Sequence, residues 1–249
     1  MASVLVVRTF DNFSRILTEN GFSVINCPTI ETVPHENLSG LGAKIFVENY
    51  DGIFLTSRRA TEIFCRELID KNIKYGGKIY ILGQSSFELL KDKNLDLFFT
   101  DAANTAQEML NSIPLQDLES KRFLFVRGEK SLRTVPEFLE KTATVDEIIV
   151  YKTLKIAVEN NQIKKLEVKS KNREIICACF FSPSGAESFL EQFSACFFHQ
   201  IKIAAIGKTT ADFFAKQNLE IDFTPTKANS EDFAFELINY LGRNYPPGG

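Results

Sequence analysis

The sequence predicts an α/β protein made of two similar parallel-sheet domains. Three observations lead there. Short, almost wholly apolar runs alternate with amphipathic stretches of about ten residues. The pattern matches itself within the chain. Two extended segments without helical periodicity read as joints between the domains.

Taken in order, "SVLVVR" leads into "DNFSRILTEN", "DGIFLT" into "SRRATEIFCRELID", and "GKIYILG" into "QSSFELLKD". Further on, "RFLFVRG" leads into "EKSLRTVPEFLEK", "CACFFS" into "PSGAESFLEQF", and "KIAAIG" into "KTTADFFAK". Strands without polar alternation are buried on both faces, which is the environment of a parallel sheet. Strands alternating with helices give βαβ units.

The repeat is read by setting "ILGQSSFELLKDKNLDLFFT" (81–100) beneath "AIGKTTADFFAKQNLEIDFT" (205–224). Gly83 meets Gly207, Ser85 and Ser86 meet Thr209 and Thr210, and Phe99-Thr100 meets Phe223-Thr224. Upstream, "FLTSRRATEIF" faces "CFFSPSGAESF", which pairs Ser57 with Ser182. After one inserted residue, Asn104-Thr105 meets Asn229-Ser230, each opening a final helix. An ordered match of this length implies two domains of one architecture. Such domains commonly bind a ligand between them, at the C-terminal ends of their strands. "CPTIETVP" and "EIIVYKTLKIAV" supply the joints, expected to run antiparallel as a two-stranded hinge.

Composition narrows the function classes. The 249 residues are 44% hydrophobic and 24% charged, as in a soluble globular protein. No apolar run approaches the length of a transmembrane helix. The first residues lack the basic head and apolar core of a signal peptide, so a cytoplasmic location is expected. A net charge of −3 without a basic stripe argues against nucleic acid as a partner. The five cysteines (27, 65, 177, 179 and 196) sit in apolar runs and read as small buried hydrophobes. With His35 and His199 the only histidines, neither a zinc site nor a Ser-His-Asp apparatus is easily assembled. The charge cluster "KKLEVKSKNRE" reads as a solvated helix end and turn.

Gly207-Lys208-Thr209 resembles the tail of a Walker A loop, but that loop needs a glycine where Lys202 stands. No GxGxxG follows any strand either. What remains are helix starts rich in hydroxyls: Thr56 and Ser57, Ser85 and Ser86, Ser182 and Ser184, Thr209 and Thr210. A helix start offers unpaired N–H groups and partial positive charge to an anion, although each hydroxyl also suits a plain N-cap. Arg8, Arg59 and Arg127 stand at or just beyond strand ends, and Lys202 opens the strand before Gly207. These residues are the candidate ligands of an anionic substrate. The pattern fits an enzyme and a non-catalytic anion-clasping or sensing protein equally.

In order, the residues resemble the uroporphyrinogen-III synthase family nearly end to end. The likeness is carried by "VLVVR", "ENGFSVINCPTIE", Thr56-Ser57-Arg58-Arg59-Ala60, "GQSS", Arg127-Gly128, "VYKT", "FSPSG" and "IGKTTA". Lys208 and Arg58 stand where the family usually has proline, and Ala228-Asn229 where it has Pro-Thr. The resemblance implies a HemD-like fold: two flavodoxin-like domains, 1–27 plus 157–249 and 35–147, with hinge strands 28–34 and 148–156. It implies a lyase that closes hydroxymethylbilane, inverts ring D and releases water, yielding uroporphyrinogen III without metal or cofactor. It implies Tyr151 as candidate general acid, a monomer, and at most transient contact with the upstream hydroxymethylbilane synthase.

Overall fold

The computed structural model describes residues 2–69 and 74–244. The closing Tyr-Pro-Pro-Gly-Gly, residues 245–249, lies outside them. Contacts divide the chain into unit 1, Met1–Glu31 with Leu154–Gly249, and unit 2, Thr32–Thr153.

Unit 1 opens with β1 (Ser3–Val6), α1 (Asn12–Glu19) and β2 (Ser23–Asn26). The chain then enters unit 2 through β3 (Ile30–Pro34), followed by α2 (Leu41–Val47), β4 (Gly52–Leu55), α3 (Arg58–Phe64), β5 (Lys78–Ile81) and α4 (Gln84–Leu90). Next come β6 (Leu97–Phe99), α5 (Ala106–Asn111), β7 (Arg122–Gly128), α6 (Thr134–Leu139) and β8 (Thr144–Lys155). Unit 1 is completed by α7 (Asn160–Lys171), β9 (Ile175–Phe180), α8 (Pro183–Leu190), β10 (Lys202–Ala205), α9 (Lys208–Lys216) and α10 (Ser230–Asn244).

The unit 1 sheet runs β10-β9-β1-β2, all parallel. Phe223 adds a single parallel bridge beyond β10, at Ala204. Every residue of β1 and β9 is buried, as their unbroken apolar runs require. One face packs Phe13, Ile16 and Leu17 of α1 and Phe233 and Leu237 of α10 against Val4, Val6 and Cys177. The other packs Leu166, Phe189 and Phe214 of α7, α8 and α9 against Leu5, Ala178 and Phe180.

The unit 2 sheet runs β3-β8-β7-β4-β5-β6. From β8 to β6 its neighbours are parallel. Helices α2, α3 and α4 cover Ile53, Leu55, Leu124 and Val126, and α5 and α6 cover Phe54, Phe123 and Phe125. The edge strand differs. His35 N–H donates to the Val150 carbonyl at 3.0 Å and Ile156 N–H to that of Thr29 at 2.8 Å, so β3 runs against β8.

Two expectations are revised. The second joint segment does not stand as half of an isolated ladder: β8 begins at Thr144 and also pairs in parallel with β7. The helix expected from Glu129 begins only at Thr134. Pro136 explains the delay, since its ring would clash with the carbonyl four residues back, at Leu132, if the helix began earlier. The "KKLEVKSKNRE" cluster lies on the second half of α7 and the turn after it, where Lys169 meets Glu174 at 2.7 Å.

Candidate functional site

Each sheet has a point where helices leave for opposite faces. In unit 2 it lies between β4, which feeds α3, and β7, which feeds α6. In unit 1 it lies between β1, which feeds α1, and β9, which feeds α8. Crevices at such points, beyond the strand C-termini, are where open α/β sheets take ligands.

At the unit 2 point, Thr56 and Ser57 follow β4, both half-buried. Ser57 is extended and caps α3, its Oγ accepting the Ala60 N–H at 3.2 Å. Its Oγ also lies 3.2 Å from the hydroxyl of Tyr151, 94 residues away. Tyr151 stands opposite Gly128 in the β7–β8 register, just past an irregularity at Arg127/Gly128. Its carbonyl accepts the Glu129 N–H at 3.0 Å. A Cβ on Gly128 would lie 2.4 Å from ring atoms Cε2 and Cζ and 2.7 Å from the phenol oxygen. Glycine is therefore what lets the ring lie over β7.

Arg127 does not reach an open rim. Its Nε donates to Glu147 at 2.5 Å, and its Nη1 donates to the carbonyls of Gly128 and Glu129 at 2.9 and 3.0 Å. Arg133 takes the other oxygen of Glu147 at 2.8 Å. Burial opposes ionisation of Glu147, but the hydrogen bonds and charges of Arg133 and Arg127 outweigh it, and the pKa falls below its ordinary value. Arg59 meets Glu62 at 3.2 Å, and its Nε is buried with no partner among the described residues.

At α4 the cap is Gly83, at φ 89° and with no side-chain bond, so Ser85 and Ser86 fall inside the first turn. Ser86 is 1% exposed and Ser85 half-buried. At α9 the cap is Gly207, again without a side-chain bond. Thr209 there is exposed, while Thr210 is buried.

At the unit 1 point, Ser182 caps α8 as Ser57 caps α3, accepting the Gly185 N–H at 3.1 Å. Ser184 is half-buried in the same turn. Arg8 follows β1, bonded to Asp11 at 2.9 Å and to Ser230 at 3.4 Å, with its guanidinium 4.3 Å over the Phe181 ring. Lys202 sits at the first residue of β10, at the far end from Gly207, and pairs with Asp222 at 2.7 Å. It is not brought to the hydroxyls of α9.

Sequence reasoning missed Gly128 as the seat of the Tyr151 ring, Glu147 as the bridge between two arginines, and Asp11 as the partner of Arg8. Asp11 had a local signal, three residues from Arg8. The Ser57–Tyr151 pair had none, because sheet order alone joins those residues. Cys27, Cys177 and Cys179 are wholly buried, the last two with sulfurs 4.0 Å apart, but Cys65 is half-buried and Cys196 is exposed in the turn after α8, contrary to the expectation that all five are core residues. Burial first, and then the neighbouring thiol, push the Cys179 pKa up, which suits inert core residues. Among the described residues no group of three or more His, Cys, Asp or Glu is placed to hold a metal. None of their helices is long and apolar enough to cross a membrane.

Residues 11–234 match the family described as HEM4, uroporphyrinogen-III synthase HemD. A uroporphyrinogen-III synthase of Chlorobaculum parvum is 29% identical over 253 residues, covering 97% of this chain and all of that one. The crystal structure of uroporphyrinogen-III synthetase from Helicobacter pylori superposes with a TM-score of 0.64 at 18% identity, over 97% of this chain and 100% of the other. A mutant uroporphyrinogen III synthase from Thermus thermophilus gives 0.62 at 14% identity, with the same coverage.

Proposed function

The chain belongs to the uroporphyrinogen-III synthase HemD family, and we propose that it cyclises hydroxymethylbilane with inversion of ring D and loss of water. It is an enzyme of the lyase class, acting in tetrapyrrole biosynthesis. The observation that carries the finer reading is the pair of hydroxyls, Tyr151 and Ser57, at the unit 2 switch point.

The chemistry asks for a proton at a hydroxyl. In this reading the Tyr151 phenol protonates the leaving hydroxyl, the C–O bond breaks, and water departs from an azafulvenium cation stabilised by its own pyrrole. The cation then bonds to the already substituted α-carbon of ring D, the bond from that carbon to its old methylene bridge breaks and re-forms at the ring's free α-carbon, and the proton lost there as the pyrrole is restored returns to the phenolate. These steps call for acid–base work and for holding a flexible chain curled, so the reading assigns no metal or organic cofactor. The substrate carries eight carboxylates. Thr56, Ser85 and Arg59 of unit 2, and Arg8, Ser182, Ser184 and Thr209 of unit 1, are proposed to receive some of them. Thr210 and Ser86 are buried and would shape their turns instead. Arg127 and Lys202, spent on Glu147 and Asp222, are weaker candidates. A cytoplasmic monomer that meets the upstream hydroxymethylbilane synthase only in passing completes the reading.

The test is direct. Incubation with enzymatically made hydroxymethylbilane, oxidation and separation of the uroporphyrins should give isomer III. Isomer I alone, the spontaneous product, overturns the activity, and tetrapyrrole binding without isomer III points to a non-catalytic binding protein. Tyr151→Phe should slow isomer III formation at least about tenfold, roughly 1.4 kcal/mol of barrier. An unchanged rate removes the acid role.

A further inference from the structure

We propose that Ser57 is a positioning residue acting through Tyr151, its hydroxyl holding the phenol oxygen and donating to it as negative charge develops there. The proposal rests on the reading of Tyr151 as the acid, and it gives Ser57 a role other than substrate ligand.

The geometry carries it. Ser57 Oγ already accepts a backbone N–H, from Ala60 at 3.2 Å, which fixes the serine rotamer and occupies one acceptor site. Its remaining contact among the described residues is the Tyr151 oxygen at 3.2 Å. Before reaction either hydroxyl can be the donor. When the phenol proton moves to the leaving hydroxyl, only one arrangement remains: the Ser57 O–H points at the phenolate and keeps its own proton throughout. A hydrogen bond to a charged oxygen is stronger than one to a neutral phenol, so this contact strengthens on the way to the transition state. A donor already in place at the developing charge needs no reorganisation at the moment of reaction.

Three contacts hold the phenol where Ser57 can do this. The backbone of Tyr151 is tied to Glu129, its ring lies against the bare Cα of Gly128, and its oxygen meets Ser57. Ser182, the counterpart in unit 1, caps its helix in the same way, with its Oγ on the Gly185 N–H. Its hydroxyl makes no tyrosine contact among the described residues. Capping alone thus does not require such a partner.

A double-mutant cycle tests the proposal, with kcat and KM for isomer III measured for Ser57→Gly, Ser57→Thr, Tyr151→Phe and the double variant S57G/Y151F. Glycine is used because it serves nearly as well as serine at an N-cap, so the helix start survives loss of the hydroxyl. We expect S57G to lower kcat about tenfold with KM little changed, the worth of one hydrogen bond to a charged group. S57T should restore most of the rate. In the Y151F background S57G should add less than about twofold, because the oxygen it serves is gone. A raised KM at unchanged kcat, or losses that multiply in the double variant, overturns the proposal. Those outcomes, with Y151F still slow, leave the acid standing. A Y151F enzyme at full rate sinks the acid and this proposal together. Gly128→Ala gives a second handle. It must displace the ring, and it should slow the native enzyme but not the Y151F enzyme.

Discussion

Glu147 holds two guanidinium groups on one carboxylate, and its consequences can be measured. The Arg127 side chain is 12% exposed, so removing the charge opposite it leaves a mostly buried cation poorly matched. Glu147→Gln should cost about 2 kcal/mol at pH 7, the range of a hydrogen bond to a charged partner. The pH dependence has a definite sign. The folded-state pKa of Glu147 lies below its ordinary 4.5, so its contribution is complete above that value and is lost as pH falls through the folded pKa. Urea unfolding of wild type and E147Q should therefore differ most near neutrality and converge in acid. A difference that is constant with pH would remove the charge-based account. At this scale the sequence was legible where partners are local and silent where they are not. It placed Arg127 at a strand end, but Glu147 lies twenty residues on, and only the β7–β8 register brings it alongside. The same holds for Ser57 and Tyr151, which are neighbours only because sheet order sets β4, β7 and β8 side by side.

At the level of elements, the internal repeat was legible from 57 and 182 onward, because apolar periodicity and turn chemistry are local properties. What it could not distinguish was the reason for each matching residue. Gly83 and Gly207 occupy equivalent caps for different causes. Gly83 stands at φ 89° with nothing within 4 Å of where a Cβ would be, so its requirement is purely conformational. Gly207 has extended backbone open to any residue, but its Cβ would meet that of Ala228 at 3.0 Å. Gly83→Ala should therefore cost on the order of 1–3 kcal/mol, the strain of holding a side-chain-bearing residue at φ 89° and ψ 134°, whatever is done to its neighbours. The cost of Gly207→Ala should instead be recovered by adding Ala228→Gly. Thermal unfolding of the variants decides it: failure of A228G to rescue G207A refutes the steric account. The hydroxyls of α4 and α9 carry the same lesson. Both glycines do the capping, which leaves Ser85 and Thr209 free of that duty.

Across the whole chain, the two units share one strand arrangement entered at different points. Unit 2 reads β8-β7-β4-β5-β6, and unit 1 reads β2-β1-β9-β10 followed by the Phe223 bridge. Strand for strand, β1 matches β7 and β9 matches β4, so the outer unit is a circular permutation of the inner one. The sequence displayed the repeat from 57 and 182 onward but hid the permuted part, because the N-terminal strand lies more than a hundred residues from the segments it completes. The chain leaves unit 1 and returns to it at adjacent backbones, with Ile156 N–H bonded to the Thr29 carbonyl at 2.8 Å. Excising 32–153 and joining the ends by a short Asn-Gly turn should thus leave a foldable outer unit, and the excised segment, with its own two core faces, should fold alone. Each polypeptide is expected to unfold in one cooperative transition by circular dichroism. A featureless melt from either would show that its core is not self-sufficient.

The placement of β1 also sets a timetable for synthesis. This strand, buried at every residue, is made well before its neighbour β9, which begins at Ile175. At ordinary translation rates the interval is roughly ten to thirty seconds, during which the inner unit emerges whole and can fold. Throughout it, "SVLV" has only α1 and β2 to shelter it. The nascent chain thus carries a fully buried strand half-covered through that interval, and the ribosome-bound form, rather than the finished enzyme, is where a holding chaperone would find its grip.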